Sequence, residues 1–165
     1  MIAPQTLILR PGPDVPNSRL PVLIFRGAIP RGADGVAAGF EKLFEANGWG
    51  GTWRDGVYDY HHFHSNAHEV LGIEEGRAQL QLGGETGEAV DVEAGDVVLL
   101  PAGTGHCRKS KSTKFMVIGA YPPGQHSPDI CRDRSPEVEL RIGKTAIPET
   151  DPVAGKFGGL VDLWR

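Results

Sequence analysis

The sequence is poor in several residue classes, and each shortage closes a route. It has two cysteines, Cys107 and Cys131, in 165 residues. That is too few for a disulfide scaffold, so the expected setting is cytoplasmic and reduced, with both thiols free. It has no run of about 18 apolar residues, which excludes a membrane-spanning helix. It has no basic excess: 17 Lys and Arg stand against 21 Asp and Glu, a formal charge of -4. A phosphate backbone needs a basic face, so no nucleic-acid partner is expected. The opening MIAPQTLILRPGPDVP lacks a charged segment followed by a long apolar stretch, so no signal peptide is expected. No internal repeat or interdomain linker interrupts the chain, and its length predicts one domain over 1–165.

Glycine and proline, by contrast, are abundant, at 23 and 13 residues. With 39% hydrophobic and 23% charged residues, the composition suits a folded chain of many short strands joined by tight turns. One helix is expected over 34–47. Val36, Phe40, Leu43, Phe44 and Asn47 fall on one face, Asp34 can cap the start, and Gly48 stands where a C′ glycine ends a helix. It should pack outside the strands. Strand patterns cover Thr6–Arg10, Leu20–Ile29, Val57–His64, His68–Ile73, Arg77–Leu82, Ala89–Glu93, Asp96–Leu100, Cys107–Ser110 and Lys114–Tyr121, with turn signals about every 8–12 residues. The segment WGGTWRDG reads as a loop. In the C-terminal extension, 122–165, Val138–Ile142 and the stretch after Gly158 read as further strands.

Four of the six histidines, His61, His62, His64 and His68, fall within eight residues of one another. In a strand, residues i and i+2 share a face, so His62 and His64 point together while His61 and Phe63 point away. After a turn at 65–67, Glu69 can return along the next strand with a carboxylate, and His106 is the candidate for a distant fourth ligand. Imidazoles with one carboxylate suit Zn, Fe, Mn, Ni or Co, not Ca or Mg.

The spacing around these residues is ordered. Gly56 is followed by His62-x-His64, Glu69 and Gly76 in the pattern G-x5-H-x-H-x4-E-x6-G. Gly95 is followed by Pro101, Gly103 and His106 in the pattern G-x5-P-x-G-x2-H. The pair, over 56–76 and 95–110, resembles the two motifs of the cupin superfamily. One departure occurs: Ser110 stands where the family has Asn, which touches no expected ligand. The stretch HSNAHEVLGI also resembles small, single-domain bacterial cupins of unassigned activity. The resemblance implies an all-β, single-domain jelly-roll β-barrel holding one divalent transition metal (Fe, Mn, Zn or Ni) on His62, His64, Glu69 and His106. It implies an enzyme acting on a small organic substrate, of oxygenase, isomerase or lyase type. The alternative is a non-catalytic module that binds a small molecule. With one motif pair, the chain does not resemble a two-barrel storage protein.

Other residues carry weaker expectations. Tyr58 and Tyr60 share parity with His62 and His64, and are candidates for proton transfer or for core packing. Arg108 shares parity with His106 and could pair with a substrate carboxylate or simply face solvent. His61 and His68 are expected at the surface or facing a dimer partner. Cys107 alternates away from His106 and is expected as packing. Trp49 and Trp53 could cover the barrel mouth as a lid or pack against the helix or a second subunit. Sheet edges need covering, so a homodimer is expected, with the strand around Val22–Phe25 crossing to a partner.

Overall fold

The structure, a computed structural model, describes residues 3–30 and 35–165. The expected cap at Asp34 lies outside the described residues. The elements run β1 (Gln5–Leu7), β2 (Val22–Phe25), α1 (Val36–Ala46), β3 (Gly50–Asp55), β4 (Glu69–Glu75), β5 (Arg77–Leu82), β6 (Glu88–Glu93), β7 (Val97–Leu100), β8 (His106–Lys111), β9 (Met116–Tyr121), α2 (Pro136–Lys144) and α3 (Leu160–Leu163). A six-stranded sheet takes the order β1-β2-β7-β4-β9-β3, and a three-stranded sheet the order β6-β5-β8. All pairings are antiparallel. The chain is therefore mainly β, as expected. In place of a closed barrel, the described residues form two facing sheets.

The inner strands of the large sheet are buried on both faces, which explains the continuous apolar runs VLIF and VVLL. Period-2 alternation sorts those runs into two cores. Ile24, Leu71, Ile73, Val98, Leu100 and Val117 face the small sheet and meet Leu80, Leu82 and Val92. Leu23, Phe25, Val70, Leu99, Ile118 and Ala120 face the other way, onto Phe40 and Phe44 of α1. The helix lies against β4 at Gly72, where a Cβ would stand 2.7 Å from the Phe40 ring. Asn47 caps its C-terminus, and Gly48 follows with φ 83°, the position expected for a C′ glycine.

Several expected elements differ. The segment WGGTWRDG is not a loop but contains β3, paired with β9 through a register shift between Gly50 and Trp53; the bulge and glycines hide its alternation. Val138–Ile142 is helical, within α2. Ser135 accepts a hydrogen bond from Val138 N, with Pro136 following and Glu137 and Glu139 in the first turn, so a capped start overrides a short apolar run. The C-terminal stretch turns as α3 and packs Leu160 and Trp164 into the helix-side core. Val57–His64 is not a regular strand. His62 pairs with His106 and Phe63 with Cys131, so adjacent residues bond to different neighbours and no ladder develops. Both edges of β2 are paired within this chain, so the Val22–Phe25 strand does not lie open for a partner.

Candidate metal centre

His62, His64 and His106 are buried, and their ligating atoms lie within 4.8 Å of one another. Each imidazole is oriented by a backbone carbonyl at Nδ1. His62 Nδ1 meets Tyr60 O at 3.0 Å, His106 Nδ1 meets Thr104 O at 3.0 Å, and His64 Nδ1 meets Asp129 O. A carbonyl only accepts, so each Nδ1 carries the proton and each Nε2 presents its lone pair to the centre. This is the outer-shell arrangement that prepares histidine as a metal ligand. Glu69 opens β4, with Oε1 3.4 Å from His64 Nε2 and 3.3 Å from His106 Nε2. Three neutral nitrogens and one carboxylate oxygen suit a divalent transition ion, so the donor set fits the metal the sequence implies.

The electrostatics agree with that use. Burial pushes the His62 imidazole down to about 3, helped by neighbouring His106, so the ring stays neutral and ready to coordinate. Burial works to lower His64, but the Glu69 charge and hydrogen bond together with the Asp129 carbonyl and charge outweigh it, and the net shift is upward. Burial tends to raise Glu69, but His64 and His106 hold it well below the ordinary carboxylate range.

The cluster lines a cavity of about 600 Å³. Leu71, Phe115, Met116 and Ile130 form apolar wall, and Tyr121, Trp53, Tyr58, Arg108 and Lys111 add polar groups. Tyr58 is 52% exposed, edge-on to His62 and stacked on Tyr60. Tyr60 stands outside this cavity, with the Arg132 guanidinium 4.5 Å from its ring centroid. Arg108 lies in the wall and donates from Nε to Val57 O at 3.2 Å.

Tyr121, not singled out from sequence, faces the cluster directly. Its hydroxyl accepts from Trp53 Nε1 at 2.8 Å, and its ring meets His64 edge-on. Burial and the Glu69 charge raise its pKa far above the phenol range, so it stays protonated. Its position depends on β9 pairing with β4, which sequence spacing does not reveal. Trp53 lies across Gly119, where a Cβ would come within 2.1 Å of the indole. Trp53 is thus part of the cavity wall on β3. Trp49 is fully buried and donates to Thr150 O at 3.0 Å. It belongs to the helix-side core and does not cover the mouth.

His68 is not at the surface. It is 2% exposed, accepts from Ala102 N at 2.8 Å, and packs on Trp164. Its parity turns it away from Glu69, into the side facing the C-terminal extension. His61 is partly buried, with neither ring nitrogen hydrogen-bonded. Cys107 is buried, and both cysteines are free. The extension also braces the ligand segment. Asp129 accepts from Ser65 N at 2.7 Å and from Ser65 Oγ, and Thr145 Oγ1 donates to Ser65 O at 2.9 Å.

Residues 53–119 match the family described as the cupin domain. An uncharacterized protein of Bacillus subtilis (strain 168), YjlB, is 37% identical over 153 residues, covering 91% of this chain and 90% of its own. Among solved structures, an uncharacterized conserved protein with a double-stranded β-helix domain from Klebsiella pneumoniae overlaps 79% of this chain and 86% of its own, at 12% identity and a TM-score of 0.40. A predicted oxalate decarboxylase from Thermotoga maritima overlaps 73% and 92%, at 17% identity and a TM-score of 0.38. No helix is long and apolar enough to cross a membrane among the described residues. The ordered motif pair, the domain match and the full-length relative make the chain a member of the cupin family.

Proposed function

We propose that this cupin is a metal-dependent enzyme, a homodimer that acts on a small organic substrate at a centre built from His62, His64, Glu69 and His106. One observation carries the reading: three imidazoles, each fixed by a carbonyl at Nδ1, turn Nε2 toward a buried carboxylate at the base of an open cavity. Such preparation costs stability in a protein that holds no ion, because it gathers polar groups in a buried place. A divalent ion there would polarise a coordinated substrate oxygen.

The remaining residues have separable tasks. Leu71 and Phe115 exclude water from the cavity wall, which strengthens every charge interaction inside. Tyr121 keeps its proton, directed at the Glu69 carboxylate, while its oxygen accepts from Trp53, so it is a phenol beside the centre that holds Glu69 in place and could pass its hydrogen bond to a bound substrate oxygen. Tyr58, at the mouth, is the second phenol within reach of a bound molecule. Arg108 offers a guanidinium edge to an anionic group. A cavity of about 600 Å³ suits one small ligand.

Metal content by mass spectrometry, on untagged protein beside His62→Ala/His106→Ala, tests the reading. About one transition metal per chain in the wild type and almost none in the variant is expected for a site of this ligand count. Empty wild-type protein after growth in supplemented medium overturns it.

A further inference from the structure

Strand β8 contains an irregularity that changes the cavity's charge. His106 pairs with Leu82 and Arg108 with Leu80, but Lys111, not Ser110, pairs with Ala78. Lys109 is therefore the extra residue of a β-bulge, and the alternation restarts one residue late. Leu82, Leu80 and Ala78 all belong to the core between the sheets, so their three partners share that face. In a regular strand Ser110 would stand opposite Ala78 and Lys111 would turn outward. With the bulge, His106, Arg108 and Lys111 all line one cavity.

The two cations are uncommitted. The third cation of the lining, Arg54, is neutralised by a two-pronged bond to Glu74, at 2.6 Å and 2.9 Å. Arg108 spends only Nε, on Val57 O. Lys111 reaches only backbone carbonyls, of Ser112 and Thr113, at 3.4 Å and 3.3 Å. Among the described residues, neither forms an ion pair. Glu69 is committed to histidines, so Asp55 is the remaining acid of the lining. The far end of the cavity thus holds a surplus of one positive charge. Two residues of strand rise roughly 7 Å, which places Arg108 about 7 Å and Lys111 about 13 Å from His106 along the small sheet.

Resting on the metal-centre reading above, we propose that the ligand is an elongated organic acid. One end coordinates at the histidine cluster, a short apolar body lies against Phe115 and Met116, and a terminal carboxylate sits between Arg108 and Lys111. A surplus of one charge suits a monoanionic carboxylate better than a dianionic phosphate. The bulge at Lys109 sets this specificity, because it turns the exposed second cation, Lys111, to the cavity's face at its rim.

The test is calorimetric titration of Mn²⁺-loaded protein, after its metal content is measured. The probes are succinate, glutarate and adipate against butyrate, valerate and hexanoate. One of the diacids should bind at least tenfold more tightly than the monoacid of equal length, as expected for a charge-assisted bond. That preference should fall about tenfold in Arg108→Met and in Lys111→Gln, and should persist in Lys109→Gln, whose cation is the bulged one. Far-UV circular dichroism on each variant confirms that it folds. Loaded wild-type protein with no preference, or a preference that survives Arg108→Met/Lys111→Gln, overturns the acid-binding proposal alone. Protein that takes up no metal overturns the metal reading, and this proposal falls with it.

Discussion

Replacing Asp129 with alanine isolates the bracing of one ligand. The Asp129 backbone carbonyl accepts from His64 Nδ1, and its carboxylate accepts from Ser65 N and Ser65 Oγ. Arg141 adds a bond to Ser65 Oγ at 2.9 Å and stands 3.6 Å from the Asp129 carboxylate. In Asp129→Ala the carbonyl survives, held only by the Asp129 N bond to Asn66 and the neighbouring Phe63–Cys131 bridge. Losing an outer-shell anchor costs about 10–100-fold in metal affinity, and tenfold corresponds to about 1.4 kcal/mol. The expected loss is near tenfold, because the direct acceptor remains. Asp129→Asn keeps an acceptor for Ser65 and should lose less. A competitive chelator titration reads the affinity, with thermal unfolding alongside. An affinity within twofold of wild type in folded Asp129→Ala would refute the bracing role. The same bracing depends on pH. Burial tends to raise the Asp129 carboxyl, but the Ser65 bonds and Arg141 hold it below its ordinary range. Its contribution is present above the unfolded-state value near 3.9 and is lost as pH falls through the lower folded value. The brace should therefore hold across the neutral and mildly acidic range.

Three further outcomes follow from the packing. Gly72→Ala puts a methyl group against the Phe40 ring, 2.7 Å away, and should cost about 1–3 kcal/mol in urea unfolding; an unchanged midpoint would mean α1 does not sit tightly on β4. Burial lowers His68 to about 4, so below about 6.5 the unfolded chain protonates first and stability falls as pH drops toward 4. Denaturation across that window should show a shallower slope in His68→Gln, and an identical slope would contradict the burial. Gel filtration at micromolar concentration should give a dimer; a monomer alone would remove the homodimer from the proposal.

The part of the fold that sequence made legible was the part built of short apolar or alternating runs between turn signals. Strands β4 through β9 fall within a residue or two of their expected places, because each is a short run, alternating as in β5 or continuously apolar as in β7, bounded by turn residues. Helix α1 was visible because Phe40 and Phe44 recur at helical spacing. The misreadings share a cause. In β3 a bulge shifts the period, and in α2 a cap competes with a brief apolar run. His68 was expected at the surface but is buried against the extension, and no local pattern reports a long-range contact. The four-residue cluster was legible because its spacing is ordered. Its surroundings were not, since Tyr121 and Asp129 arrive from strand pairing and from a carbonyl that any residue could supply.

The three histidines are not held alike. His62 and His106 each bond to the carbonyl two residues earlier, on Tyr60 and Thr104, and they bridge each other through their own backbones, His62 N to His106 O and His106 N to His62 O. That pair is set by its local chain and one cross-bridge. His64 instead depends on a carbonyl 65 residues away, delivered by a segment that also bonds to Ser65, Asn66 and the His68 amide. Coordination needs all the nitrogens placed at once, so the extension belongs to the centre as much as the motif residues do. The motif supplies the donor atoms, and the extension supplies the orientation of one of them. Disturbance of the 122–147 region should therefore be felt first at His64, with the His62–His106 pair still in place.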